Sequence, residues 1–207
     1  SAASDVYKRQ TLTPVQDDAT GVVRLGAWVR DSTAGIGTLS FYDPDSGQYA
    51  ALGHAITDGD TGSILTVREG RVLNASIVAV QKGQRGVPGE LKGSFLQNAA
   101  VLGDIAQNTT LGISGTLTTA VSNPLYPDGL PIGTRSSVHT GAATILSTIG
   151  TGGVQEYPVE VTHVSQQNAP AAKSMVLRVT DTRLLDATGG IVQGMSGSPI
   201  IPDGKLI

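Results

Sequence analysis

Residues 36–56 read IGTLSFYDPDSGQYAALGHAI, two short segments with strand-like composition on either side of Asp43-Pro44-Asp45-Ser46-Gly47. Asp, Pro, Ser and Gly are the residues that tight turns favour, each for its own backbone or hydrogen-bonding reason. The pattern therefore predicts a β-hairpin with a loop of about four or five residues. Short strands separated by turns continue along the rest of the chain.

The overall composition agrees with this pattern. The 207 residues include 20 Val, 13 Ile and 22 Thr, together with 27 Gly and 10 Pro. β-Branched residues favour strands, and Gly and Pro favour the turns between them. We therefore expect an all-β fold of many short strands: a sandwich, a barrel or paired barrels.

Two further local patterns stand out. SILTV (63–67) and RVLNASIVAV (71–80) flank Arg68-Glu69-Gly70 and predict a second hairpin. ALGHAITD (51–58) and TRLLDATGG (182–190) could each form a short helical turn, and the second ends on the Gly-Gly pair that commonly follows a helix.

Charge and cysteine content exclude several classes of protein. The chain has 14 Lys and Arg against 17 Asp and Glu, a net charge of −3, so no basic excess exists to neutralise nucleic-acid phosphates. It contains no cysteine, which excludes disulfides, thiolate zinc sites and a cysteine nucleophile. No apolar run approaches the roughly 18 residues that a membrane-spanning helix needs.

The chain divides into a leader and one main domain. Residues 1–20 show no period and are interpreted as a flexible or foreign leader, without the apolar region of a signal peptide. Residues 21–207 form the predicted domain. Its segment 123–133, NPLYPDGLPIG, contains three prolines and is the predicted connection between two β lobes.

The segment 194–199, GMSGSP, is the sharpest candidate for chemistry. A serine between glycines on a tight turn can expose its hydroxyl, and the flanking N–H groups can converge on an oxyanion. The strand-like Pro199-Ile200-Ile201 follows at once, unlike the nucleophile elbow that leads into a helix. Gly-x-Ser-Gly is also typical of an ordinary turn, so Ser196 is a candidate nucleophile on this pattern alone.

A nucleophilic serine needs a base and an acid. His54, among small neighbours, is one candidate base, and His139 and His163 are the others. His54 also precedes Asp58 and Asp60, a spacing that could bind a metal but is equally typical of a polar turn.

Spacing alone does not choose the acid, because triads are defined in space. The candidates are Asp181, Asp104 and the nearby Asp58 and Asp60. The residues by themselves indicate a possible serine hydrolase.

Several strings are similar to one known family, the SpoIVB peptidases, sporulation serine proteases of endospore-forming bacteria. The strings are RLGAWVRDSTAGIGTLSFYDP, ALGHAITD, QKGQRGVPGE, VTDTRLL and TGGIVQGMSGSPI, in order between residues 24 and 200. The resemblance implies a chymotrypsin-like double β-barrel, here truncated at the C-terminus because the family has a further strand after GKLI.

The resemblance also implies a role for each site residue. His54 of ALGHAITD becomes the general base, Ser196 of GMSGSP the nucleophile, and Asp181 of VTDTRLL the acid. The N–H groups of Gly194 and Ser196 become the oxyanion hole. Met195 stands where chymotrypsin-type enzymes have an aspartate that pairs with a new N-terminus, so that form of activation is not expected.

The resemblance further implies a biological setting. The protein would be a serine endopeptidase that cleaves a membrane-associated sporulation regulator and thereby triggers late sigma-factor processing. It would need no cofactor or metal and would not bind nucleic acid. It would be exported to the space between the forespore and mother-cell membranes, with a membrane segment and a PDZ domain in the full-length protein. The alternative is a non-catalytic β-rich binding domain, in which GMSGSP is only a turn.

Overall fold

The structure is a computed structural model that describes residues 15–16, 18–21, 23–24, 33–94, 99–165 and 174–207. The chain divides into two compact units, residues 1–35 and 36–207. In the first unit, β1 (Val15–Gln16) pairs antiparallel with β2 (Val23–Arg24). Most of the predicted leader, residues 1–14 and 17, lies outside the described residues.

The second unit is built almost entirely of strands in its described part. These are β3 (Leu39–Tyr42), β4 (Gln48–Ala51), β5 (Arg71–Leu73), β6 (Ser76–Gln81), β7 (Glu90–Ser94), β8 (Val101–Thr109), β9 (Gly112–Leu117), β10 (Gly141–Ser147), β11 (Gln155–Val164), β12 (Met175–Val179) and β13 (Ile200–Ile201). One α-helix, α1 (Thr182–Thr188), and one 3₁₀ turn, Arg135–Ser137, accompany them.

The first sheet has the strand order β3-β4-β9-β8-β5 and is antiparallel throughout. The predicted hairpin joins β3 to β4: the Asp43 amide donates to Gln48 O, and Gly47 turns the chain with a φ of +73°. Tyr49, Ile113 and Leu117 fill the core beneath this sheet. The hairpin prediction is confirmed.

The second predicted hairpin, around 68–70, is wrong. β5 pairs with β8, and residues 56–65 fold back on themselves, since the Leu65 amide donates to Ile56 O at 3.0 Å. The side chain of Asn108 bonds to both Ile56 and Leu65, and this replaces the strand pairing that the sequence pattern predicted.

The second sheet has the order β12-β11-β10-β13, again antiparallel. Ile145 of β10 faces Tyr157 of β11, and both side chains are almost fully buried. The β6–β7 hairpin contributes Ile77 and Leu91 to this same core, although it precedes β8 in the sequence. The β6–β7 hairpin, from the first half of the chain, therefore packs in the core of the sheet that the second half forms.

Helix α1 closes this second core with Leu184, which is fully buried. Asp181 caps its N-terminus, and Gly189 ends it in the left-handed conformation at φ +77°. The predicted helical turn in 182–190 is therefore confirmed. The one in 51–58 is wrong, because Ala51 ends β4 and Thr57 forms an antiparallel bridge with Ile64.

The all-β fold class is confirmed, with several antiparallel sheets and α1 as the single α-helix of the described residues. The described strands form open sheets and no closed barrel, so the double barrel is still what the resemblance implies. The division into two lobes near 123–133 also stays a prediction. Among the described residues, no helix has the length and apolarity to cross a membrane.

Candidate active site

The GMSGSP segment forms a tight turn that leads directly into β13. Gly194 and Gly197 have φ values of +94° and +87°, a region that side chains with a Cβ rarely adopt. Between them, Met195 is 3 % exposed and packs in the second core. Because Met195 points inward, the turn is anchored, and its neighbour Ser196 is left partly exposed.

The two serines of this turn have different surroundings. The Ser198 hydroxyl oxygen is buried and has no hydrogen-bond partner within the described segments. Both residues are half-buried as a whole, and the enclosed hydroxyl makes Ser198 the less accessible of the two to a substrate carbonyl.

The backbone of this turn contacts the end of the first hairpin. The Thr38 amide donates to Ser196 O at 2.9 Å, and the Leu52 amide donates to Thr38 O at 3.2 Å. A Cβ added to Gly197 would lie 2.5 Å from Leu52 N and 2.6 Å from Thr38 O. Leu52 is two residues before His54, so the structure brings the Ser196 turn against the segment that contains His54.

Leu52 itself has a φ of +74°, which is uncommon for a residue with a branched side chain. Such backbone strain costs on the order of 1–3 kcal/mol and occurs preferentially at functional sites. Its amide is bonded to Thr38 O, which helps to hold the strained conformation beside the Ser196 turn.

His54 is exposed, and its Nδ1 lies 2.9 Å from Ala55 O. A proton on Nδ1 would be donated to that carbonyl, which leaves a lone pair on Nε2. Among the described residues, no hydrogen bond joins the His54 and Ser196 side chains.

The other two histidines are placed differently. His139 Nε2 is 2.7 Å from Asp203 Oδ2, and its Nδ1 is 3.0 Å from Thr140 O. The Thr140 carbonyl and then the Asp203 carboxylate raise the pKa of His139. His163 lies exposed in β11. Only His54 belongs to the segment that contacts the Ser196 turn through Leu52.

Asp181 is buried at the N-terminus of α1, and its carboxylate is fully engaged. Oδ1 accepts from the Leu184 amide at 3.1 Å, and Oδ2 accepts from Arg183 Nη2 at 2.7 Å. The Arg183 guanidinium is the main cause that lowers the pKa of Asp181, with the Leu184 amide acting in the same direction and burial opposing both. In this conformation Asp181 does not hydrogen-bond His54.

Arg183 is itself held by two other groups. Its Nη2 also donates to Glu156 O at 3.0 Å, and its guanidinium lies 5.4 Å from the centre of the Tyr157 ring. The guanidinium that pairs with Asp181 therefore also contacts two neighbouring residues of β11.

Asp104, the other candidate acid, is exposed on β8 opposite Arg71. Its main-chain carbonyl accepts from the Tyr49 hydroxyl at 3.0 Å. Burial, and to a lesser extent the Asp104 charge, raises the pKa of Tyr49 to about 12. The structure thus brings neither Asp181 nor Asp104 into a hydrogen bond with His54.

The predicted oxyanion hole consists of the Gly194 and Ser196 N–H groups, and the Met195 N–H between them is already hydrogen-bonded. The Met195 amide donates to Val192 O at 3.2 Å. The amides of Gly194 and Ser196 donate to no acceptor within the part of the chain that the structure describes.

The possible metal spacing at His54, Asp58 and Asp60 forms a polar turn instead. Asp58 Oδ1 accepts from the Asp60 and Thr61 amides and from the Thr61 hydroxyl. In the described ranges, no group of three or more His, Cys, Asp or Glu side chains could hold a metal ion.

Sequence reasoning missed two residues that position the site. Thr38 links the Ser196 turn to the first hairpin, and Asn108 bonds to the loop after His54. Thr38 lies within the family-like string of residues 24–44, but that string gave it no role, and Asn108 lies outside all of the quoted strings. Both act through contacts between residues far apart in the sequence, for which the local pattern gives no signal.

Comparison with known proteins gives one match. Residues 21–207 match the family described as SpoIVB peptidase S55. The search of curated proteins and the search of solved structures each found no match. Because the family match extends over nearly the whole chain and contains the Ser196 turn with the segment it contacts, we conclude that this chain belongs to the SpoIVB peptidase S55 family and is a peptidase with a protein substrate.

Proposed function

We propose that this protein is a serine endopeptidase in which Ser196 is the nucleophile and His54 the general base. The observation that carries the proposal is the contact between the Ser196 turn and the Leu52 segment, through Thr38. It supports the proposal because the Ser196 turn lies against the segment that leads into His54, although 142 positions of the sequence separate Ser196 from His54.

The proposed reaction is acyl transfer through a covalent intermediate. Ser196 Oγ attacks the scissile carbonyl carbon while its proton passes to His54 Nε2. The carbonyl oxygen becomes an oxyanion that accepts from the Gly194 and Ser196 amides. Collapse of this intermediate breaks the peptide bond, and the leaving amine takes the proton from His54. Water then hydrolyses the Ser196 ester by the same steps and restores the free hydroxyl.

Asp181 is the proposed third member of the triad. The support is its place in the family-like string VTDTRLL, fifteen positions before Ser196. A buried carboxylate with a lowered pKa is ionised at neutral pH, as a triad acid must be. Asp104 is the competing acid, since it lies on the first sheet, the sheet that leads to His54.

The biological role that we propose follows from family membership. The substrate would be a membrane-associated sporulation regulator, and its cleavage would trigger processing of a late sigma factor. The site of action would be the space between the forespore and mother-cell membranes, with the full-length protein anchored by a membrane segment.

The alternative function is a non-catalytic β-rich binding domain. It is favoured by the engagement of the Asp181 carboxylate with Arg183 and Leu184, because the proposed triad acid then makes no hydrogen bond to His54 in this conformation. A hydrolysis assay on a protein substrate distinguishes the two functions.

We expect peptide-bond cleavage by the wild-type protein and none by the His54→Gln variant. The matched variants His139→Gln and His163→Gln should lose less than about tenfold, the equivalent of ~1.4 kcal/mol. A chelator should have no effect. Equal activity of His54→Gln and the wild type would overturn the proposal.

A further inference from the structure

The Ala55 carbonyl, which contacts His54, belongs to a peptide unit that is hydrogen-bonded at its other end to Asn108. His54 Nδ1 lies 2.9 Å from Ala55 O, and the N–H of the same Ala55–Ile56 peptide donates to Asn108 Oδ1 at 2.8 Å. Donation at one end of a peptide unit polarises its other end, so the two hydrogen bonds strengthen each other. A continuous series of bonds therefore runs from the Asn108 amide through this peptide to the imidazole.

The other end of the Asn108 side chain fixes its orientation. Nδ2 donates to Ile56 O at 2.7 Å and to Leu65 O at 2.9 Å, so both of its hydrogens are used. Asn108 lies on β8 opposite Ile113 of β9, within the first sheet. The His54 segment is therefore attached to a paired strand rather than to another loop.

We propose that Asn108 is a positioning residue for the catalytic base: it fixes the Ala55–Ile56 peptide, whose carbonyl keeps the proton of neutral His54 on Nδ1 and leaves Nε2 free to accept. The inference rests on the proposed function, in which His54 is the base. The hydrogen bond at one ring nitrogen determines which nitrogen is protonated. In a triad a carboxylate has this task; in the resting conformation described here, Ala55 O has it.

The engagement of Asp181 with other groups supports this assignment. Asp181 is engaged by Arg183 and Leu184, so it does not set the tautomer of resting His54. His139 provides an internal comparison, since its Nδ1 makes the same kind of contact with the next carbonyl, Thr140 O. Its Nε2, however, is occupied by Asp203, whereas His54 Nε2 has no partner among the described residues.

The direct test is nitrogen NMR of the whole protein labelled at the histidine ring nitrogens. The chain has only three histidines, and His54→Gln identifies the resonances of His54. At a pH where the ring is neutral, we expect wild-type His54 as the Nδ1–H tautomer. Asn108→Leu, which keeps the approximate size and removes every hydrogen bond, should shift His54 towards the Nε2–H tautomer.

The same variant should lower kcat by about 10- to 100-fold with little change in KM, part of the 10²–10⁴ that general-base catalysis contributes. Asn123→Leu is the matched control. The Asn123 side-chain oxygen also accepts from a backbone N–H, that of Leu125, in a loop that does not contain His54. We expect it to leave the tautomer and kcat unchanged.

The Asn108→Asp variant distinguishes an effect of Asn108 on the His54 tautomer from an effect on the stability of the loop alone. It keeps the acceptor for the Ile56 N–H and removes both donors, so it should lower Tm, as Asn108→Leu does, yet preserve the Nδ1–H tautomer. The proposal would be overturned by a wild-type Nε2–H tautomer, by an unchanged tautomer in Asn108→Leu, or by the same tautomer shift in both variants. Full hydrolytic activity of His54→Gln would instead remove the proposed function and leave the tautomer result intact.

Discussion

The carbonyl oxygen of Ser196 accepts a hydrogen bond from the amide of Thr38 at 2.9 Å. Thr38 directly precedes β3, and Ser196 lies in the turn before β13, so this bond joins the beginning and the end of the second unit. Gly197 makes the contact tight, because any Cβ there would meet Leu52 N and Thr38 O. The position of Ser196, the proposed nucleophile, therefore depends on Gly194 and Gly197 and on one edge strand of the first sheet.

Gly197→Ala should destabilise the protein and abolish hydrolysis. The new Cβ would lie within 2.6 Å of two backbone atoms and would force a φ of +87° on an alanine. The backbone strain alone is worth about 1–3 kcal/mol. Gly204→Ala is the matched control, because Gly204 has a φ of +71° with no atom within 4 Å of a Cβ. Urea unfolding should show a clearly larger loss for Gly197→Ala; equal losses would mean that the close contact has no energetic role.

Alanine substitutions of the two serines in the turn should have different effects on activity and stability. Ser196→Ala should keep the fold and abolish turnover, since loss of a serine nucleophile costs ~10⁶ in kcat. Ser198→Ala should retain activity and unfold at the same or a higher temperature. Its buried hydroxyl has no hydrogen-bond partner among the described residues, and an unsatisfied buried polar group costs about 1–3 kcal/mol. Melting curves and kcat for both variants decide the matter, and an active Ser196→Ala variant would refute the assignment.

Asp181→Asn should be folded and severely impaired, and Asp104→Asn should be close to normal. Asn caps a helix about as well as Asp, so α1 should persist. The amide substitution of a triad aspartate costs ~10⁴ in kcat in the known serine-protease example. The measurement is kcat/KM of both variants on one peptide. An impaired Asp104→Asn with a normal Asp181→Asn would assign the acid to the first sheet.

The His139–Asp203 pair should stabilise the fold only at lower pH. The Thr140 carbonyl and Asp203 raise the pKa of His139, so the stabilisation is complete below the unfolded value of about 6.5 and is lost as the pH rises through the folded value. Asp203→Asn suits the test, because Asp203 has a φ of +48° and asparagine tolerates this conformation. Its Tm should fall below that of the wild type at about pH 5 and match it at about pH 9. A difference independent of pH would contradict this account.

The elements that were predicted correctly are those with local signals. The hairpin around Asp43–Gly47 has a turn sequence between two strands, and α1 has an aspartate cap and a Gly-Gly end. The failed hairpin near 68–70 shows the limit of such signals. β5 pairs with β8 instead, a partner about thirty positions away, which turn chemistry does not encode.

The same distinction holds within the candidate site. Ser196 is recognisable because the glycines beside it are needed for its own turn. Asn108 resembles any polar residue of a half-exposed strand, and its importance comes from the loop that folds against it. Asp181 shows a third case. It both caps α1 and lies in a family-like string, so the sequence alone does not tell a capping role from a catalytic one.

Labelling with a fluorophosphonate probe, followed by mass spectrometry of the modified peptide, tests directly whether Ser196 is an activated serine. An activated serine is required for this reaction, and the account predicts one label on Ser196. The label should be absent from Ser196→Ala, strongly reduced in His54→Gln and retained in Ser198→Ala. No labelling of the folded wild-type protein, or labelling that persists in Ser196→Ala, would contradict the assignment of Ser196 as the nucleophile.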